Sequence, residues 1–188
     1  SLSVAVPYAL KNKCTVFFLT SRHTQHEIAI RTLREMKEKW QLDITVADII
    51  GKKWMCLFPG VEGLSSGEFT DFCRATVEAG KCEFYSNVRN GFKLSVQGQK
   101  TLGDVRQQIS NTEDVISWCR HDSVCPYEIT LEIMKGANVI VGDYSSIFHP
   151  AISEVLLKKT GKSLDKAIVI VDEAHNLPGR VRSNASLK

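Results

Sequence analysis

Apolar positions fall into short blocks of two periods. Thr15-Val16-Phe17-Phe18-Leu19 is a continuous apolar run bounded by polar residues, the pattern of a strand buried on both faces. From about Gln25 to Trp40 the apolar residues Ile28, Ala29, Leu33, Met36 and Trp40 recur among Arg, Glu and Lys, which predicts an amphipathic helix. Ile44–Ile50 is the next strand. Regularity then fails between Gly51 and Ser123, a stretch with eight glycines and only broken helical patterns near 68–79 and 101–119. Pattern returns with a helix from Pro126, a good first-turn residue, to about Met134, where Gly136 stops it. The strand 138–142, a helix from about Pro150 to Lys158 ending near Gly161, and the strand 167–171 complete the series.

Strand, helix, strand, irregular block, helix, strand, helix, strand is the order of an open α/β domain with a parallel sheet. The irregular block reads as a subdomain inserted between core elements. The divisions are therefore 1–50, 51–126 and 127–188.

Composition changes this picture little. With 188 residues, 43% apolar and 24% charged, the chain can bury one core of ordinary size. Its net charge of +3 arises from 7 basic and 5 acidic residues in the first division, 9 and 9 in the second, and 8 and 7 in the third, so charge alone names no partner. No run approaches the roughly 18 apolar residues of a membrane span. The first residues lack the basic and apolar regions of a signal peptide, and Arg182–Lys188 continues no evident element. With no initiating Met, both ends are expected to be cuts in a longer chain.

Chemistry enters at Asp172-Glu173-Ala174-His175, directly behind the last strand. In open α/β sheets ligands collect at the carboxyl ends of strands. An acid there can hold Mg²⁺ of a nucleoside triphosphate, and a neighbouring Glu can polarise water. Asp172 and Glu173 suit those roles, and His175 would couple the site to the rest of the machine. The phosphate-cradling loop GxxxxGK[ST] occurs nowhere in the sequence, so ATP turnover is not expected from this stretch alone.

The six cysteines are Cys14, which opens a strand, and Cys56, Cys73, Cys82, Cys119 and Cys125 in the irregular block. Cys56, Cys73, Cys82 and Cys125 are separated by 16, 8 and 42 residues, unlike the close pairs of zinc ribbons or ferredoxin runs. A four-thiolate site would order a block poor in consecutive apolar residues. Spacing does not choose between zinc and iron–sulfur, nor between Cys119 and Cys125.

Together these features resemble the XPD/Rad3-like iron–sulfur DNA helicases of superfamily 2, the archaeal XPD branch most closely. Thr20-Ser21-Arg22-His23-Thr24-Gln25 matches the DNA-contacting motif Ia. Trp54–Leu57, Phe72–Arg74, Lys81–Tyr85 and Val124–Glu128 match the four cysteine segments. Asn138–Tyr144 matches the segment after the cluster domain, and Val171–Leu177 matches motif II. The resemblance implies a RecA-like motor sheet with an inserted domain, in which Cys56, Cys73, Cys82 and Cys125 hold a 4Fe-4S cluster and Cys119 is a bystander. It implies a 5′-to-3′ ATP-dependent helicase of nucleotide excision repair, monomeric, cytoplasmic in archaea and nuclear in eukaryotic relatives, acting on single-stranded and fork DNA. ATP and Mg²⁺, with Asp172 as a metal ligand, would be shared with the remaining helicase domains of the parent chain. Arg22, His23 and Gln25 are expected to contact DNA by their motif. Lys52, Lys53, Arg74, Lys81, Tyr85, Arg89, Phe92 and Lys93 are expected to do so as basic or stacking groups. Relatives often place Arg where Gly51-Lys52-Lys53-Trp54 precedes the first ligand. Two alternatives stay open: a non-catalytic, metal-stabilised nucleic-acid-binding module, and a DinG-like helicase, although that branch groups its last cysteines more tightly. A redox carrier is a third, supported by the cluster alone.

Overall fold

The four apolar runs pair side by side. In the computed structural model, which describes residues 1–185 and side chains through 182, β1 (Thr15–Thr20), β2 (Val46–Ile49), β5 (Val139–Asp143) and β6 (Ala167–Val171) form one sheet in the order β2-β5-β1-β6. Every pairing is parallel, with Val16 opposite both Val139 and Ile168. All six residues of β1 are buried, as its unbroken apolar pattern requires. β6 ends the sheet and is only half-buried.

α1 (Leu2–Asn12) precedes β1; α2 (His26–Trp40), α7 (Pro126–Gly136), the short α8 (Ser145–Phe148) and α9 (Pro150–Thr160) connect the sheet strands, and α10 (Leu177–Ala185) follows β6. Pro126 and Pro150 each stand in the first turn, where a missing N–H costs nothing, and Gly161 ends α9 in the left-handed conformation. The N-terminal α1 has no counterpart among the predicted elements; Pro7 within it breaks the usual pattern. α10 likewise extends through Arg182–Ala185, where no element was expected, while residues 186–188 lie outside the described residues.

One face of the sheet, with Val16, Phe18, Val139 and Val141, packs on Leu2, Val6 and Ala9 of α1 and on Ala29, Ile30, Leu33 and Met36 of α2. Ile28 and Trp40, counted with the apolar stripe in the sequence, lie outside it, and Ile30 takes the inner position. The opposite face, with Phe17, Leu19, Ala47, Ile49 and Ile140, packs on Ile129, Ile133 and Met134 of α7. Each of these side chains larger than alanine contributes about 1.5–3 kcal/mol by burial.

The irregular block contains α3 (Ser66–Glu78), α4 (Glu83–Val88), the two-stranded hairpin β3 (Arg89–Asn90) and β4 (Lys93–Leu94), α5 (Val96–Arg106) and α6 (Thr112–His121). Capping boxes start α3 (Ser65 with Glu68) and α6 (Asn111 with Asp114). Gly98 lets α5 lie against the end of α4, since a Cβ there would meet the Val88 carbonyl at 2.7 Å. Leu102, Val105, Val115 and Cys119 from α5 and α6 join the same core as α7 and the sheet. By contrast α3 buries only Phe69. The part of the block that carries three of the cysteines is thus the part with the least apolar anchorage.

Candidate functional site

Two groups of candidate residues gather on this scaffold. The first lies at the C-terminal edge of the sheet. Register places Thr20 opposite Asp143 and Leu19 opposite Val171, so loop 20–25 and the turn at Asp172 leave neighbouring strands side by side. The amide of Asp172 donates to the Leu19 carbonyl at 2.8 Å, continuing the β1–β6 ladder into the acidic turn. Glu173 adopts a left-handed conformation with φ 48°, uncommon for a residue with a Cβ. Buried Tyr144 steadies that turn: its hydroxyl donates to the carbonyls of Asp172 and Glu173. Burial, then the charges of Asp172 and Glu173, push its phenol above the ordinary range, so the hydroxyl keeps its proton. The carboxylate of Asp172 is half-exposed and that of Glu173 exposed. His175 Nδ1 lies 3.3 Å from Glu173 Oε2.

Across an open groove from this turn stand Ser21, Arg22, Thr24 and Gln25. Gln25 Oε1 accepts from the amide and hydroxyl of Ser21 at 3.2 and 3.0 Å, which folds the loop on itself. Arg22 is exposed. His23 is partly exposed and pairs with Asp143, Nε2 to Oδ2 at 2.9 Å.

The second site is a pocket in the inserted block. Cys56, Cys73, Cys82 and Cys125 line it together, with Lys52, Tyr85 and Tyr127. Cys56 follows a single helical turn at Lys52–Met55, Cys73 projects from α3, and Cys82 and Cys125 directly precede α4 and α7. Two of the four thus sit at helix N-termini, which favour a thiolate. Burial raises the thiol pKa of Cys56, of Cys82, and of Cys125, the last to about 12. Backbone amides oppose that rise: Phe58 for Cys56, Tyr85 and Phe84 for Cys82, Glu128 for Cys125. Without a cation these thiols keep their protons, and a metal would have to displace them. Among the described residues, no three His, Cys, Asp or Glu side chains converge closely enough to hold one metal ion. A single tetrahedral zinc would draw sulfurs to about 2.3 Å from one centre, whereas a cluster gives each thiolate its own iron. The donor set is four thiols around one pocket, with backbone donors aimed at three of them.

Cys119 takes no part in the pocket. It is fully buried in α6 among the core residues, and burial drives its pKa upward. Cys14 is half-buried just before β1.

The basic residues of the block divide. Burial opposes the charge of Lys52, but a hydrogen bond to Cys73 and the nearby Cys125 and Glu128 outweigh it and raise its pKa. Its Nζ also lies 5.3 Å from the Tyr127 ring centre. Lys53 donates to the Leu64 carbonyl and lies over the Trp54 ring. Arg89 points inward, its guanidinium held by Glu128 at 2.7 Å and Glu132 at 2.6 Å. Lys81, Lys93 and Arg74 are exposed, the last paired with Asp71, and Phe92 stands fully exposed in the hairpin turn. Tyr85 is half-buried at the cysteine pocket.

Sequence reasoning left Tyr144, Asp143, Asp48 and His26 without roles. Asp48 carried a signal, a lone carboxylate inside the apolar run Ile44–Ile50. Tyr144 carried none that distinguishes it from a core residue.

A parallel sheet with acids at its carboxyl edge and a cysteine-lined insertion make up a RecA-like α/β domain. The sequence profile of the DEAD_2 family matches residues 18–188, and the chain belongs to that family of XPD/Rad3-like superfamily 2 helicases. Among its relatives is an "ATP-dependent DNA helicase CHL1" of Kluyveromyces lactis, 30% identical over 72% of this chain and 16% of that protein. A "Regulator of telomere elongation helicase 1 homolog" of Anopheles gambiae is 26% identical over 88% of this chain and 15% of its own length. A "Fanconi anemia group J protein homolog" of Gallus gallus is 27% identical over 91% and 13%. The chain thus spans about a sixth of the curated relatives it matches. A solved structure titled "Truncated XPD" shares the fold with a TM-score of 0.61 at 22% identity, covering 96% of this chain and 45% of that one. Among the described residues no helix is long and apolar enough to cross a membrane.

Proposed function

We propose that this chain is the first motor domain, with its inserted iron–sulfur domain, of an ATP-dependent 5′-to-3′ DNA helicase that serves DNA repair. The observation that carries this reading is the assembly of Cys56, Cys73, Cys82 and Cys125 around one pocket, beside a motor sheet that presents Asp172 and Glu173 at its edge. Residues 1–50 and 127–188 would form the motor part and residues 51–126 the cluster part. The 42 residues between Cys82 and Cys125 favour the XPD-like over the DinG-like branch.

The four cysteines would hold a 4Fe-4S cluster, with Lys52 as the adjacent counter-charge. When bound, the cluster supplies a rigid link among chain positions that α3 and its neighbours anchor poorly. Asp172 would hold the Mg²⁺ of ATP, Glu173 would polarise water, and His175 would couple that turn to other domains. No GxxxxGK[ST] loop lies within the 188 residues, so hydrolysis requires a phosphate site supplied from elsewhere. Arg22, His23, Gln25, Arg74, Lys81 and Lys93, with Tyr85 and Phe92 as stacking groups, are the proposed DNA contacts. Lys52, Lys53 and Arg89 leave that set because their cationic heads are engaged within the protein.

Purification without oxygen tests this reading. The expected product is brown, with about four irons and four sulfides per chain. A colourless protein holding one zinc overturns the cluster assignment. Failure to bind an oligothymidylate in low salt overturns the DNA assignment separately.

A further inference from the structure

A chain of polar contacts runs from loop 20–25 through the sheet to the inserted block. His23 Nε2 meets Asp143 Oδ2 at 2.9 Å, and the other oxygen of that carboxylate faces His26 Nε2 at 3.6 Å. His26 Nδ1 lies 2.6 Å from Asp48 Oδ1. Asp48 Oδ2 accepts the backbone N–H of Thr112 at 2.9 Å, and Thr112 is the first residue of α6. His26 and Asp48 are each 3% exposed.

The imidazole is therefore enclosed between carboxylates of β2 and β5. The pocket at its open side is lined by His23, Glu27, Asp48 and Glu113, and no Lys or Arg is among its described lining residues. Glu27 is engaged by Asn111, Nδ2 to Oε2 at 2.8 Å. A neutral imidazole donating to Asp48 would turn its Nε2 lone pair toward the Asp143 carboxylate. A protonated ring gives each carboxylate an N–H, and the enclosed Asp48, with no Lys or Arg lining the pocket, favours that form. Nε2 makes no hydrogen bond of normal length, so the Asp143 contact stands open while His23 shares the same carboxylate.

We propose that protonated His26 is a positioning residue coupling the pose of loop 20–25 to the N-terminus of α6, so that an anion seated on the loop is felt in the inserted block. The coupling to DNA rests on the reading that loop 20–25 faces a nucleic-acid backbone. A phosphate that draws His23 away frees Asp143 to close on His26. The tightened His26 then holds Asp48, and Asp48 holds the Thr112 amide. Arg34 reinforces the same seam, donating from α2 to the Ile109 carbonyl at 2.7 Å and to Asp114 at 2.8 Å.

Hydrogen exchange on the full 188-residue chain tests this, with and without an oligothymidylate. Exchange should slow both in loop 20–25 and at Thr112 when the oligonucleotide binds. His26→Gln should speed exchange at Thr112 about tenfold without ligand and abolish its response to ligand. Adding Asp48→Asn to that variant should restore protection, because the remaining carboxamides can pair without a charge; a role in packing alone would not be rescued. Unchanged exchange at Thr112 in His26→Gln, or no rescue, overturns the proposal. Should His26→Gln fail to fold, histidine NMR on the wild type decides: a His26 ring that loses its proton below about pH 7 overturns it. If the wild type binds no oligonucleotide, the DNA reading fails, while the ligand-free response of Thr112 still reports the coupling.

Discussion

Tyr144, at the exit of β5, donates its phenolic proton to the carbonyl of Glu173 at 2.9 Å, across the sheet edge. The bond holds a left-handed glutamate, and with it the acidic turn, against β1 and β5. Tyr144→Phe should leave the sheet intact but cost about 1–2 kcal/mol. Amides 172–176 should exchange faster in the variant. Unaltered exchange there would mean that the β6 ladder alone sets the turn.

His26 predicts a distinct pH dependence. Burial disfavours its charge, but Asp143 and Asp48 overcome that and raise its pKa from 6.5 to about 9. A raised folded value means the contribution is complete below about pH 6.5 and is lost as pH climbs through about 9. The full effect is on the order of 3 kcal/mol. Urea midpoints from pH 6 to 10 should therefore fall more steeply in the wild type than in His26→Gln. Parallel profiles would show that the ring is neutral.

The sheet was legible because parallel strands buried on both faces need continuous apolar runs. β1 and β6 extend within a residue of the expected runs, and the expected strand 44–50 narrows to Val46–Ile49. The helices after Pro126 and Pro150 were legible from the prolines. Strand order was not, because nothing local to β1 says that β5 and β6 flank it. In the inserted block, α5 and α6 spread their apolar residues over one shared core, so neither shows a full stripe by itself. The hairpin at Arg89–Leu94 did carry a signal in Gly91, which takes the positive-φ first position of the two-residue turn. At the sites, cysteine and acid identities were visible in the sequence, but the inward turn of Arg89 was not. It depends on Glu128 and Glu132, a turn apart on α7 and some 40 residues away.

The two cysteines nearest each other in sequence should behave oppositely. Cys125→Ser, at the pocket, should lose iron, whereas Cys119→Ser should retain it. The Cys119 variant should instead lose about 1–3 kcal/mol of stability, since it buries a hydroxyl in an apolar core. Iron content and thermal unfolding of both variants separate these effects. Full iron in Cys125→Ser would break the ligand assignment.

Arg89 should matter to stability and not to DNA. Its side chain and those of Glu128 and Glu132 are nearly buried, and removal leaves two carboxylates short of their main partner. Arg89→Ala should cost about 3 kcal/mol, the lower end for a broken buried pair, because Lys135 and Lys159 still approach the glutamates. Urea unfolding measures the loss. Oligothymidylate affinity of the folded variant should be unchanged, and a tenfold weakening would return Arg89 to the DNA surface.

β6 closes one side of the sheet, and among the described residues no strand pairs with its outer edge. Its five residues, Ala167-Ile168-Val169-Ile170-Val171, carry no charge, and Val169 is 39% exposed. Such an edge is a template for any strand of similar character, including its own copy. In isolation the chain should therefore self-associate as its concentration rises, and sedimentation velocity would follow it. Val169→Lys should keep the chain monomeric. The solubility of this motor sheet is thus decided at its rim, by whatever occupies that edge, and not in its interior.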